Sequence, residues 1–335
     1  MIERKIELMK NGYDAFLDFL KGFCILSVIF MHCEPRFNGY VLYDYWIHLA
    51  VPLFLLLQAY HVFRKENATI TKSAITKMLR RIFLPFACFT AVEFVYIAVF
   101  RDGSLRGLIK SMILAGGIGP GSYYFWVYLQ FFILAPLTYW LFRRFNISLI
   151  MGGAIFTIIS IGTEIICSNM EMRTDLYRLS CMRYIYLIFL GYVWSRRGIR
   201  LNALTLTLSG VSIVFITIFT QTNLNLEPVF HNFTKKECHW ICYFYPSFLF
   251  MFMLHWAYRI LPQRIRAWMV EFGHYSWHIF LMQMLFFALF PKGRLLEMGD
   301  HHFTLPLFYC IAFAFSTIPV IALHRIKPLI KQRYK

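Results

Sequence analysis

Asp18, Lys21, His32 and Glu34 have the types and the spacing that group-transfer chemistry needs. An imidazole can take a hydroxyl proton near neutral pH, and an ammonium can hold an anionic partner. Lys21 and His32 stand eleven residues apart in an otherwise apolar run. On a helix at about 100° per residue, that step closes to within about 20° of whole turns and separates the Cα atoms by about 16 Å. Asp18 lies one turn before Lys21 and shares roughly that face. One helical stripe therefore carries a carboxylate, an ammonium and an imidazole, and it must look into a polar cavity rather than into lipid. Taken singly, each residue also has a plain reading. Lys21 can snorkel to a membrane surface paired with Asp18, and His32 can sit at an interface just before Glu34-Pro35.

The elements that position this stripe follow from composition. Of 335 residues, 59% are hydrophobic and 15% are charged, with 36 Phe. Soluble domains carry about 25% charged residues, so a soluble globule and a disordered chain are both excluded. At about 20 residues per span, the apolar residues suffice for about ten transmembrane helices. Apolar segments read near 15–33, 46–63, 82–100, 123–142, 147–167, 181–195, 203–220, 240–258, 270–290 and 303–323. The expected fold is therefore all-α and polytopic, a single integral membrane domain over 1–335 with no fused soluble domain. The first segment carries Asp18 and Lys21 and lacks a small-residue cleavage site, so it reads as a retained span.

The excess of 34 Lys+Arg over 17 Asp+Glu follows the positive-inside rule rather than announcing nucleic acid. With the N-terminus inside, the cytoplasmic pieces hold 22 basic residues and the outer pieces 10, while Lys21 and Arg183 fall within spans. Both termini are then cytoplasmic. Glu93 and Glu164 sit mid-span, where pairing with an intramembrane cation such as Arg183 is the structural expectation. His255 and His278 lie on aromatic-rich stretches that suit packed histidines. Nothing in the chain has metal-ligand spacing: there is no C-x-x-C and no HExxH. Cys238 and Cys242, beside His239, would need further ligands to hold a metal.

Asp18-x-x-Lys21-Gly22, preceded by Leu17 and followed by His32, resembles the first-helix signature of the acyltransferase-3 family. Val51-Pro52 through Gln58-Ala59-Tyr60 is similar to that family's Pro-Leu-Phe-Phe-Phe-x-Ser-Gly-Tyr/Phe, with Gln58-Ala59 standing where the family has Ser-Gly. Lys77-x-x-Arg80-Arg81, running to Pro85, looks like its basic entry to the third span. Gly121 to Trp126 resembles its aromatic entry to the next long helix, and Gly273 to Gln283 its late Gly-x-x-Ser-x-x-Ile-Tyr-Leu-x-His, with Gln283 in the final position. Matches run from residue 14 to the last span.

The resemblance implies a membrane O-acyltransferase that moves an acyl group, usually acetyl from acetyl-CoA, onto a hydroxyl of an extracytoplasmic or lipid-linked glycan. His32 would be the general base, with Glu34, Asp18 or Glu93 orienting it. Lys21, Arg80 and Arg81 would hold the phosphates of CoA, and Tyr124 and Trp126 would stack on sugar or adenine. Acetyl-CoA enters as a co-substrate, with no bound cofactor and no metal. The partners are an acyl-CoA donor, a glycan or glycolipid acceptor and membrane lipids, with no nucleic acid; a homodimer is left open. The expected location is the cell membrane, as a multi-pass protein of a bacterial inner membrane. The alternative is a transporter or flippase of a glycan or lipid precursor, whose charged stripes would line a permeation path. Against it, the chain shows no internal inverted repeat.

Overall fold

A computed structural model describes residues 15–33, 47, 49–65, 69–100, 104–198, 202–222, 240–290 and 301–333. Every regular element among them is helical. In chain order these are α1 (Ala15–Cys33), α2 (Ala50–Phe63), α3 (Lys72–Phe100), α4 (Leu105–Leu114), α5 (Tyr123–Arg144), α6 (Leu149–Asn169), α7 (Thr174–Leu179), α8 (Ile185–Arg197), α9 (Ala203–Thr222), α10 (Phe244–Phe252), α11 (Gln263–His274), α12 (Ser276–Leu289) and α13 (His301–Arg333). Hydroxyl caps start three of them. The side chains of Thr71, Ser104 and Ser148 accept from the backbone N–H of Ala74, Gly107 and Met151, at 3.1, 3.1 and 3.2 Å. Each cap satisfies an N–H that the first helical turn leaves without a partner.

Five helices are long and apolar enough to cross a bilayer: Ala15–Cys33, Lys72–Phe100, Tyr123–Arg144, Leu149–Asn169 and Leu305–Ile326. Three apolar helices are shorter: Ala50–Phe63, Ala203–Phe215 and Ser276–Leu289. A 14-residue helix such as α2 rises about 21 Å, less than the hydrocarbon thickness of about 30 Å. The apolar segment 270–290, expected as one span, is instead two helices that meet at Tyr275. The first of these, α11, begins earlier, at Gln263.

α1 is the central helix, with 67% of its apolar window buried, against 17% for α3 on the periphery. It packs against α11, α2, α13 and α12. The α1–α11 crossing brings backbones together. A Cβ on Gly22 would stand 2.0 Å from the Met269 carbonyl oxygen, and one on Gly273 would stand 1.6 Å from that of Asp18. Only glycine fits at either position. α2 and α8 make a second close crossing, where a Cβ on Gly191 would lie 2.6 Å from Cβ of Ala59. The glycine that the resemblance places on α2 is thus supplied by the facing helix, and Ala59 packs onto it. Outward faces such as Val92, Val95, Ile150, Ile158 and Leu323 are apolar and exposed, as expected of helices whose solvent is lipid.

Candidate active site

Lys21 and Asp18 are held together by their one-turn spacing on α1: the ammonium donates to Asp18 Oδ1 at 2.7 Å. The other carboxylate oxygen of Asp18 lies 3.7 Å from His274 Nδ1. Asp18 is buried and its lysine partly exposed. Asp18 thus sits fourteen residues from His32, about 21 Å along the helix, and its contacts are with Lys21 and His274.

Lys21 opens onto a cavity of about 380 Å³, within the usual range of roughly 300–1,000 Å³ for small-molecule sites. Three polar residues of α2 and the turn after it, Gln58, His61 and Lys65, also line it. Their spacing of three and four residues puts them on one face. Farther in, the wall becomes aromatic: Phe54, Tyr124, Tyr128, Trp277 and Phe280. Tyr124 packs against Phe54 and Phe280 at ring-centroid distances of 6.1 and 5.6 Å, and Trp277 stacks on Phe280 at 5.5 Å. The cavity has a cationic mouth and an apolar, aromatic interior.

Phe280 meets His32 at a glycine-rich loop, residues 115–122, that joins α4 to α5. A Cβ on Gly121 would stand 3.2 Å from the Phe280 ring and 3.7 Å from His32 Nε2. Gly116, Gly117 and Gly121 all have positive φ, at 77°, 157° and 85°, so the loop reverses in a space where side chains would collide. Ser122 Oγ donates to the Ala115 carbonyl at 3.2 Å, and Trp126 Nε1 donates to that of Gly116 at 2.7 Å. These bonds close the loop on itself and pin it to α5. His32 also packs against Phe287 of α12, with ring centroids 5.6 Å apart.

The residues singled out in the sequence are distributed as follows. Lys21 and Tyr124 line the cavity, and His32 lies beyond its inner end. Arg80 and Arg81 fall in a π-helical turn of α3, Leu79–Phe83, with exposed side chains outside the cavity lining. Trp126 is 39% exposed, borders two grooves on the bundle surface and ties the loop to α5 through its indole N–H. Glu34 lies outside the described residues, as do Cys238 and His239. Arg183 does not pair with Glu93. It packs among the rings of Tyr184, Tyr123 and Tyr177 at 4.3, 5.3 and 5.6 Å and donates to the Tyr184 hydroxyl. Tyr177 in turn donates to Glu164, so Glu164 belongs to that tyrosine cluster.

His61, Lys65 and the part of the glycine loop before Gly121 are absent from the sequence reading. The signal for the first two was present as Gln58, His61 and Lys65 on one face of an apolar helix. The loop had only its glycines, which in isolation read as a turn.

A bundle of apolar helices with a basic-mouthed cavity and a half-buried imidazole past its inner end defines the class, a multi-pass membrane protein. A family model described as an acyltransferase domain matches residues 14–325, essentially the whole chain. The chain belongs to the acyltransferase-3 family and is an acyltransferase. No curated protein and no solved structure matches it.

Proposed function

We propose that the protein transfers an acyl group, acetyl in the simplest case, from acyl-CoA to a hydroxyl of an extracytoplasmic or lipid-linked glycan. The observation that carries this reading is the cavity itself: Lys21, His61 and Lys65 at one end, aromatic walls along it, and His32 beyond the Phe280 end. A CoA thioester is an anionic nucleotide on a long, mostly neutral arm, and the cavity has that polarity profile. A ten-span topology with both termini inside would put 22 basic residues on the Lys21 side and 10 on the other, and so open the cavity toward the cytosol, where acyl-CoA resides. The membrane is then the cell membrane, with both termini inside and a ten-span topology.

In this reading Lys21, held in position by Asp18, attracts the donor phosphates. Lys65 and His61 share that mouth, and Arg80 and Arg81 meet the nucleotide outside it. Tyr124 and Phe280 flank the thioester. His32 takes the acceptor hydroxyl proton as the oxygen attacks the thioester carbonyl. The tetrahedral intermediate collapses with cleavage of the C–S bond, and the imidazolium returns its proton to the departing CoA thiolate. Ester and free CoA are the products. The test is incubation of proteoliposomes with labelled acetyl-CoA and an envelope extract of the source cells. The reading expects a base-labile labelled ester that depends on His32, and label that stays in acetyl-CoA or goes only to acetate refutes it.

A further inference from the structure

The inner wall of the cavity is a ring that the protein holds in place from several directions. Phe280 of α12 lines the cavity and is 7% exposed, so nearly all of its surface is in contact with protein. Trp277, one turn earlier on the same helix, stacks on it at 5.5 Å, and Tyr124 of α5 meets it edge-on at 5.6 Å. Gly121 lies against it too: a Cβ there would stand 3.2 and 3.4 Å from two carbons of the ring. Gly121 has φ 85°, a conformation that favours glycine, and its loop is tied down by the Ser122 and Trp126 bonds to Ala115 and Gly116. The ring can yield only if α5, α12 and the loop repack together, and packed interiors resist that.

Transfer chemistry brings the acyl group to this ring. The same point at Gly121 lies 3.7 Å from His32 Nε2, so the ring and the imidazole are neighbours across one glycine. A base works about 2.6–3.2 Å from the hydroxyl oxygen that it deprotonates, and that oxygen attacks a carbon about 3–3.5 Å away. The thioester carbonyl therefore sits about 6 Å from Nε2, a reach that spans the glycine to the ring. The coenzyme arm enters from the Lys21 end, so the acyl group is the tip of the donor and the part that meets the far wall. The arm shares the same cavity of about 380 Å³, so a longer acyl chain is pressed against Phe280.

We propose that Phe280 sets the length of acyl chain that the protein accepts. Tyr124 and Trp277 fix the ring, and the bare backbone of Gly121 lets it stand this close to His32. The inference rests on the acyl-transfer reading and adds the residue that selects among donors. A straight chain of four or more carbons has to displace the ring. One methylene too many in an apolar pocket costs about 10- to 200-fold, so butyryl, with two more than acetyl, should be disfavoured by about a hundredfold or more. This selection is made at the far wall, away from Lys21, His61 and Lys65. A change in the ring therefore alters chain preference while the nucleotide is held as before.

Phe280→Ala and Phe280→Leu test this. Truncation to alanine opens an apolar cavity of the kind that takes up small apolar groups, and leucine keeps most of the bulk if alanine fails to fold. Full-length protein in proteoliposomes receives labelled acetyl-CoA or butyryl-CoA with the envelope extract of the source cells, and kcat/KM is compared between the two donors. That ratio within one preparation is independent of how much of it is folded, and calorimetric titration with CoA shows whether the mouth is intact. The proposal expects the butyryl-to-acetyl ratio to rise by about tenfold or more in Phe280→Ala and by less in Phe280→Leu. An original protein that transfers butyryl as well as acetyl overturns it, as does an unchanged ratio in both variants. Equal loss of both transfers with CoA binding intact also overturns it and makes Phe280 a packing residue alone. If the unsubstituted protein transfers neither group, the acyl-transfer reading fails and this one with it. If it transfers acetyl and the ratio does not move, only the role of Phe280 is lost.

Discussion

Replacing Lys21 with methionine removes one positive charge from the cavity mouth while keeping most of the aliphatic stem. For a phosphate oxygen about 5 Å from the ammonium, Coulomb's law gives about 3 kcal/mol at an effective dielectric of 20 and about 0.8 kcal/mol in bulk water. Lys21 is 26% exposed at its side chain, so its environment lies between these limits. At about 1.4 kcal/mol per decade, donor affinity should fall between about fourfold and 200-fold, with a value of 10- to 30-fold expected. The substitution also leaves Asp18 without the cation that neutralises it at 2.7 Å, and the bared carboxylate repels phosphate. Asp18→Asn on top of Lys21→Met should therefore recover severalfold of the loss. Calorimetric titration of CoA into the purified protein measures both effects. Raising ionic strength should shrink the difference between the original protein and Lys21→Met, because the mouth is within reach of salt. Pantetheine, which has no phosphate, should bind both proteins alike. Equal CoA affinities, or an equal loss for pantetheine, would refute the charge argument and leave Lys21 as a structural partner of Asp18.

His32→Ala and His32→Gln should each lower transfer by about 10²–10⁴-fold, the usual contribution of a general base, with CoA affinity intact by the same calorimetry. In the original protein the rate should fall at acidic pH, because a protonated ring cannot accept the hydroxyl proton. Trp126→Phe removes the 2.7 Å bond to the Gly116 carbonyl, typically worth about 0.5–1.5 kcal/mol. It should lower kcat severalfold with KM for acetyl-CoA unchanged, measured by steady-state assay. Gly273→Ala places a methyl 1.6 Å from the Asp18 carbonyl, and the backbones must separate at a cost of about 1–3 kcal/mol or more. A lowered midpoint in a detergent thermal-shift assay checks this. Tags at either terminus should resist external protease in intact cells; an accessible C-terminus would contradict an even number of spans.

The helices that the sequence made legible are those with long apolar runs, α1, α5 and α6 above all, because length and hydropathy are local properties. The break at Tyr275 was not legible. Gly273, His274 and Ser276 surround it, but no proline marks the junction and apolar residues continue on both sides, so the run reads through as one segment. The same holds for the site. Asp18, Lys21 and His32 share one helix, so their common face follows from the helical repeat alone. His61 and Lys65 join them only through the packing of α2 on α1, which is a tertiary fact. Glu93 was visible as a buried acid, but the expected partner, Arg183, is engaged by tyrosines contributed by three separate elements.

The exchange at Ala59 shows how a motif can depart from its family while its physical purpose survives. What that position requires is close approach of two helix backbones, and this depends on the combined bulk at the crossing rather than on glycine in one particular helix. Gly191 supplies the missing space: a Cβ there would also come within 2.9 Å of the Tyr60 backbone nitrogen. The neighbouring substitution has a different consequence. Gln58 is longer than the serine of the family pattern and uses its reach to donate to the Tyr128 carbonyl at 3.0 Å. It ties α2 to α5 across the wall of the cavity, one turn from His61 and level with the aromatic lining. Its amide oxygen has no partner among the described residues. Gln58 thus belongs to the cavity as a polar residue in an apolar wall, and Ala59 beside it belongs to the packing. The two changes read as one substitution in the sequence, yet they meet different helices, α5 and α8, and answer to separate constraints.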